Sequence, residues 1–213
     1  MFRWLIEFDK KALLYINSIH SPEWDQIMWW ITDNNHTNWI PFYVILLVIV
    51  IYRERPYRFI FTILFLVVTI VLCDQISVFI KNLVQRPRPT HDYELAGLVH
   101  MVNNYKGGSY GFVSSHAANA FGLITFLINQ FKHYKWTFFL FTWALILSYS
   151  RIYLGVHYPL DIICGATLGL LTGIQTYILK VITVVYIERR IEDYKMNKKR
   201  KLKMKIKQNV HHS

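Results

Sequence analysis

The sequence predicts an all-α integral membrane protein, a helical bundle with about five or six transmembrane helices and an amphipathic N-terminal helix. Three observations carry that prediction. Hydrophobic residues make up 54% of the 213 positions and aromatics 16%, which is high for a soluble chain. The apolar residues gather in long runs separated by charged or polar loops. The net charge of +11 is concentrated: from Glu188 to the end, ten Lys or Arg stand against three acids. A basic chain raises the question of nucleic acid, but the apolar runs make membrane lipids the expected partner, and no nucleic acid. Cys73 and Cys164 each lie inside an apolar run and read as small buried hydrophobes, not as a disulfide framework.

Three parts follow along the chain: interfacial helices over residues 1–36, a transmembrane core over 37–187 and a basic cytoplasmic tail over 188–213. Phe2 to about Ser18 reads as an amphipathic helix, with Trp4, Leu5, Phe8 and Leu13 on its apolar side. A helix packed on the domain fits the same pattern. Arg3, Glu7, Asp9, Lys10 and Lys11 interrupt this segment, so it does not read as a secretory signal. Trp24 to Thr32 is a second short segment, and Asp33–His36 a turn.

Five spans are then expected: Trp39–Tyr52, Tyr57 to about Leu83, Ser115–Phe131, Trp136–Ser150 and Pro159 to about Val185. Gly165, Gly169 and Gly173 place a small-residue stripe on the last. The tail, with Lys198-Lys199-Arg200-Lys201, reads as a disordered topology anchor. Alternate loops share a side. The Arg53–Pro56 and Lys132–Lys135 loops and the tail are basic, hence cytoplasmic. The long Val84–Ser114 loop and the Arg151–Tyr158 loop then meet on the opposite, extracytoplasmic face.

Those two loops carry the chemistry. Pro159 suits the first turn of a helix, which puts Asp161 in that turn, four residues after His157. The carboxylate can hold one ring nitrogen and leave the other to attack. Taken alone, a helix-capping Asp161 beside an interfacial His157 explains the segment equally well. The first loop adds Lys81 and Arg88, and Arg151 is one short loop from His157. Cations at an apolar helix end call for an anion. Ser114 is placed to cap the third span, with Ser115 and His116 in its first turn, where N–H groups and the helix dipole favour an anion. Together these residues are equipped for phosphoryl transfer through a phosphohistidine. No cluster has metal-ligand spacing, and neither a metal nor a cofactor is expected.

The three stretches resemble the signature of the type-2 phosphatidic acid phosphatase superfamily. Lys81, Arg88 and Pro89 match its K-x6-R-P pattern, Ser114 and His116 its P-S-G-H, and Ser150, Arg151, His157 and Asp161 its S-R-x5-H-x3-D. The resemblance implies that His157 is the nucleophile, Asp161 its orienting partner and His116 the general acid, while Lys81, Arg88, Ser114, Ser115 and Arg151 bind phosphate. Val113 replaces the family proline and Ser115 the glycine. The expected activity is a membrane lipid phosphatase acting on undecaprenyl diphosphate at the periplasmic side of a cell inner membrane. Alternatives are a lipid A 1-phosphatase, a phosphatidylglycerophosphate phosphatase or a lipid phosphotransferase using the same site. Arg86 is an additional cation that either takes a second phosphate or faces solvent. Asp74 and Ser77 lie on the helical face of Lys81, and Asp74 is a candidate to neutralise it. His91, Asp92, Glu94 and His100 read as ordinary loop polar residues.

Overall fold

The computed structural model describes residues 3–32, 48, 52, 56–131 and 134–210. Among them six α-helices carry the fold: α1 Arg3–Ser18, α2 Pro22–Thr32, α3 Pro56–Val84, α4 Ser115–Phe131, α5 Tyr134–Tyr153 and α6 Pro159–Val210. The described residues form no sheet, only an isolated bridge between Pro87 and Tyr110. The chain divides into two compact units, Met1–Tyr177 and Ile178–Ser213. The expected Trp39–Tyr52 span and the Asp33–His36 turn lie outside the described residues, apart from Val48 and Tyr52.

Helix α3 contains the most apolar segment, Tyr57–Val84, whose 28 residues exceed the ~30 Å hydrocarbon thickness at 1.5 Å per residue. Ile60, Leu64, Val67, Val71 and Phe79 remain exposed on it. A helix that is apolar all round, with much of that surface unburied by protein, is what lipid requires. The Pro159–Lys201 part of α6 is likewise long and apolar enough to cross. Helix α4 matches its expected bounds, but its 17 residues make only about 25 Å. Ala117, Ala118 and every residue from Ala120 to Leu127 on it are buried, so it is the central helix of the bundle. It packs against α3 and α5, and α1 and α2 pack on α5. The glycine stripe works as expected within the first unit. A Cβ at Gly165 would strike Ser114, and one at Gly173 would come within 2.5 Å of the Gly122 carbonyl, so α6 meets α4 almost backbone to backbone.

Two expectations are corrected. Arg151 does not open a loop; α5 continues through Tyr153 and holds Arg151 in its last turn. The reason is a Schellman stop: Gly155 adopts φ 70°, Val156 N–H donates to the Arg151 carbonyl, and Gly155 N–H to that of Ile152. A cation in that last turn also suits the helix dipole. The basic tail is helical as far as Val210 rather than disordered. Residues 188–210 contain no Gly or Pro and are rich in Lys, Arg, Glu and Met, all good helix formers.

The N-terminal helix has the expected amphipathic character with a different inner face. Leu13 is buried, but Trp4 and Phe8 point outward, and Asp9 and Asn17 are buried beside Leu13. Asn17 is a clamp: its amide donates to the carbonyls of His100 and Tyr153, and its oxygen accepts from His100 N–H at 2.7 Å. It thereby fastens the long loop to the end of α5. The loop polar residues are structural in the same way. His100 stacks on His20 and meets Asp25, while Asp92 accepts from Lys10 and from the Tyr158 hydroxyl.

Candidate active site

Each half of the site is set by a helix terminus. Tyr158 is the N-cap of α6, Pro159 its first residue, and Asp161 the third. Asp161 Oδ2 accepts from the Tyr158 N–H at 3.0 Å, the reach-back of a capping box. The same oxygen lies 3.4 Å from His157 Nδ1. One carboxylate oxygen therefore caps α6 and also lies beside the imidazole. The Ser114 hydroxyl accepts from Ala117 N–H at 3.4 Å, as an N-cap of α4 should. Ser114 N–H in turn donates to the Asp161 carbonyl at 3.0 Å, so the two termini are joined. Lys81, in the last turn of α3, donates to the Ser115 hydroxyl.

The long loop folds back on itself through the Pro87–Tyr110 bridge, with Arg88 N–H donating to Ser109 O and Gly111 N–H to Arg86 O. This brings Arg88 over the imidazole. Its Nη1 lies 3.2 Å from His157 Nε2 and donates to Val156 O, while Nε donates to Tyr110 O. Gly111 passes so near that a Cβ there would lie 2.9 Å from Asp161 Oδ2. Arg151, 1% exposed, donates from Nη1 to Thr32 Oγ1 at 2.7 Å and from Nη2 to the Tyr105 hydroxyl at 3.5 Å. Burial, and then the charges of Arg88, Arg151 and Lys81, hold His157 well below the usual histidine range. Its ring is neutral at pH 7, with Nδ1 toward Asp161 and Nε2 toward Arg88. Arg88 itself is pushed down to about 10 by burial and by Arg151, and stays charged at that pH.

His116 opens onto a cavity of about 330 Å³ lined also by Asp74, Ser115 and Asn119, with apolar walls from Leu123 and Trp143. Ser77 donates to the Cys73 carbonyl, so it serves its own helix. Sequence reasoning missed Thr32, Tyr105 and Gly111, which carry no motif. For Arg86 it weighed only a second phosphate or solvent, whereas the side chain, still partly exposed, is engaged by two carboxylates. Arg86 donates from Nη1 to Asp161 Oδ1 at 3.0 Å and from Nη2 to Asp9 Oδ2 at 2.7 Å.

A neutral buried imidazole, a carboxylate behind it and cations in front, carried by membrane helices, define a membrane phosphoryl-transfer enzyme. The chain belongs to the PAP2 superfamily, whose family model matches residues 62–183, and it is a membrane lipid phosphatase of that family. It is 39% identical over 171 residues to a lipid A 4'-phosphatase of Bacteroides thetaiotaomicron, covering 79% of this chain and 75% of that one. A lipid A 4'-phosphatase of Porphyromonas gingivalis is 29% identical over 82% of this chain and 73% of its own. An undecaprenyl-diphosphatase of Sulfolobus acidocaldarius is 40% identical, but over only 65 residues and 31% of its length. Among solved structures, LpxE of Aquifex aeolicus superposes with a TM-score of 0.57 at 25% identity, over 78% of this chain and 92% of that one. The PAP2-type phosphatidylglycerolphosphate phosphatase of Bacillus subtilis superposes at 0.59 over 82% and 85%, with 24% identity, a likeness of fold.

Proposed function

We propose that this protein hydrolyses a phosphate monoester of lipid A through a phosphohistidine on His157, at the periplasmic face of the inner membrane. The observation that carries the chemistry is the placing of His157, with Nε2 3.2 Å from the Arg88 guanidinium and Nδ1 3.4 Å from the Asp161 carboxylate. Nε2 attacks phosphorus as the P–O ester bond breaks, and His116 gives its proton to the departing oxygen. Water then attacks the phosphohistidine, losing a proton to His116, and the P–N bond breaks to release inorganic phosphate. Lys81, Arg88, Arg151 and the N-terminus of α4 with Ser114 and Ser115 stabilise the equatorial oxygens. Those cations supply the charge that a metal supplies in other phosphatases, so activity is expected to survive EDTA. The cavity beside His116, polar at one end and apolar along Leu123 and Trp143, suits the departing lipid portion.

Two arguments favour lipid A over undecaprenyl diphosphate. Similarity to the two lipid A 4'-phosphatases runs through most of the chain, whereas the undecaprenyl-diphosphatase match is short. Arg86, the cation a diphosphate would have used, is already held by two carboxylates. Undecaprenyl diphosphate remains the second reading because that short match reaches 40% identity. The periplasmic placement rests on the basic tail and loops, which mark the other side as cytoplasmic.

The test is phosphate release by detergent-purified protein, with EDTA, from bisphosphorylated lipid A, phosphatidylglycerol phosphate, phosphatidic acid and undecaprenyl diphosphate. Lipid A should be the best substrate, losing its 4'-phosphate, and His157→Ala should release nothing. A preference for undecaprenyl diphosphate would overturn the substrate assignment. Transfer of the phosphoryl group to an added acceptor lipid in place of release would make the protein a phosphotransferase.

A further inference from the structure

Asp161 is held from three directions, and one of them leads out of the known motifs. Its Oδ2 takes the Tyr158 N–H and faces His157, while its Oδ1 takes the Arg86 guanidinium at 3.0 Å. The other arm of that guanidinium is bound at 2.7 Å by Asp9, a 1%-exposed carboxylate on α1. Asp9 Oδ1 also accepts the Leu160 N–H at 2.9 Å, in the first turn of the helix that carries Asp161. The plane of Arg86 lies over the Tyr158 ring, 3.9 Å from its centroid. Tyr158 is fixed in turn by Asp92, which pairs with Lys10, the neighbour of Asp9 on α1.

Two buried carboxylates placed this close repel each other and are costly to desolvate unless a cation with fixed geometry joins them. A guanidinium does so with two arms in one rigid plane, an orientation that a lysine's rotatable ammonium does not impose. We infer that Arg86, gripped by Asp9 of the N-terminal helix, is a positioning residue that fixes the Asp161 carboxylate against His157, making α1 a working part of the catalytic site. The inference rests on the proposed roles of His157 and Asp161. Its rival is that Arg86 binds substrate phosphate, and it is not sealed off: with Lys10, Val84 and Phe112 it edges a cavity of about 530 Å³. The two assignments differ in sign at Asp9. A positioning Arg86 needs the Asp9 charge, whereas a phosphate-binding Arg86 would be released by losing it.

The experiment compares Arg86→Ala, Arg86→Lys, Asp9→Asn, the Asp9→Asn/Arg86→Ala double variant and His157→Ala in the full-length detergent-solubilised protein. Readouts are kcat and KM for a lipid phosphate, the inhibition constant of inorganic phosphate, and melting temperature. Positioning predicts that kcat falls about 10- to 100-fold in Arg86→Ala, in line with loss of an outer-shell partner, with KM and the phosphate constant within about threefold. Arg86→Lys should stay impaired. Asp9→Asn, which keeps the acceptor for Leu160, should lower kcat in the same direction, and the double variant should be no worse than Arg86→Ala. A rise in KM and phosphate constant in Arg86→Ala, with tighter phosphate binding in Asp9→Asn, would overturn the inference and make Arg86 a phosphate ligand. Unchanged kcat in Asp9→Asn and Arg86→Lys would overturn it too, and these charge-altering and charge-keeping variants decide if Arg86→Ala does not fold. Activity in His157→Ala is a separate outcome: it would remove the phosphohistidine reading on which the inference stands.

Discussion

Arg86 and Arg88 are two residues apart and have opposite occupations. Arg88 donates to the neutral carbonyls of Val156 and Tyr110 and reaches the imidazole. Arg86 holds the carboxylates of Asp9 and Asp161. Residues two apart on an extended segment share a face, so on either side of the Pro87–Tyr110 bridge both side chains reach the His157–Asp161 pair, Arg88 at the imidazole and Arg86 at the carboxylate. An arginine bound by neutral acceptors keeps its attraction for an anion. One bound by two carboxylates has spent it on geometry. The front of the site is thus electrostatic and the back is mechanical.

The largest effects should come where front and back meet. His157→Ala removes the nucleophile and should abolish turnover; Asp161→Asn, which keeps the shape but loses the orienting charge, should lower kcat by about 10⁴. Next in size, Arg88→Ala should lower kcat by about 10²- to 10³-fold and, unlike Arg86→Ala, raise the inhibition constant of phosphate. Equal responses of phosphate affinity to the two arginine substitutions would erase the contrast between them.

The pH profile sharpens it. His157 must be neutral to attack, and its pKa is held down by burial and by the Arg88, Arg151 and Lys81 charges. The acid limb of kcat/KM that reports this group should therefore lie well below pH 6.5 in the wild type. Removing Arg88 takes away a cation that opposes protonation, so in Arg88→Ala the limb should move to higher pH. A smaller effect is expected at Thr32→Val, which deletes the acceptor that holds Arg151 at 2.7 Å. A hydrogen bond to a charged group contributes about 1.5–3 kcal/mol, so kcat/KM should fall about 10- to 100-fold, with a drop of several degrees in melting temperature.

The same contrast separates what the sequence discloses from what it conceals. His157, Asp161 and Ser114 could be read because their relations are local: a four-residue spacing across a helix start and an N-cap. The front of the site was legible for that reason. Asp9 and Thr32 act on groups 77 and 119 residues away, and no periodicity encodes such a contact. Asp9 looked like one charge among several in an amphipathic helix, and only the fold turns it inward. The spans were legible where hydropathy is extreme, as in Tyr57–Val84, and equally in α4, whose bounds match although its apolar residues serve the bundle core. The end of α5 was misplaced because Arg151 looked like loop, whereas Gly155 four residues later is the actual stop.

The central claim is that phosphate passes through His157. Rapid alkaline denaturation during turnover of a phosphate-labelled lipid, followed by peptide mapping, tests it directly. The expected result is a label that survives alkali, is lost in mild acid, maps to the peptide containing His157 and is absent from His157→Ala. A label that survives acid and maps to Ser114 or Ser115, or steady turnover in His157→Ala, would contradict it.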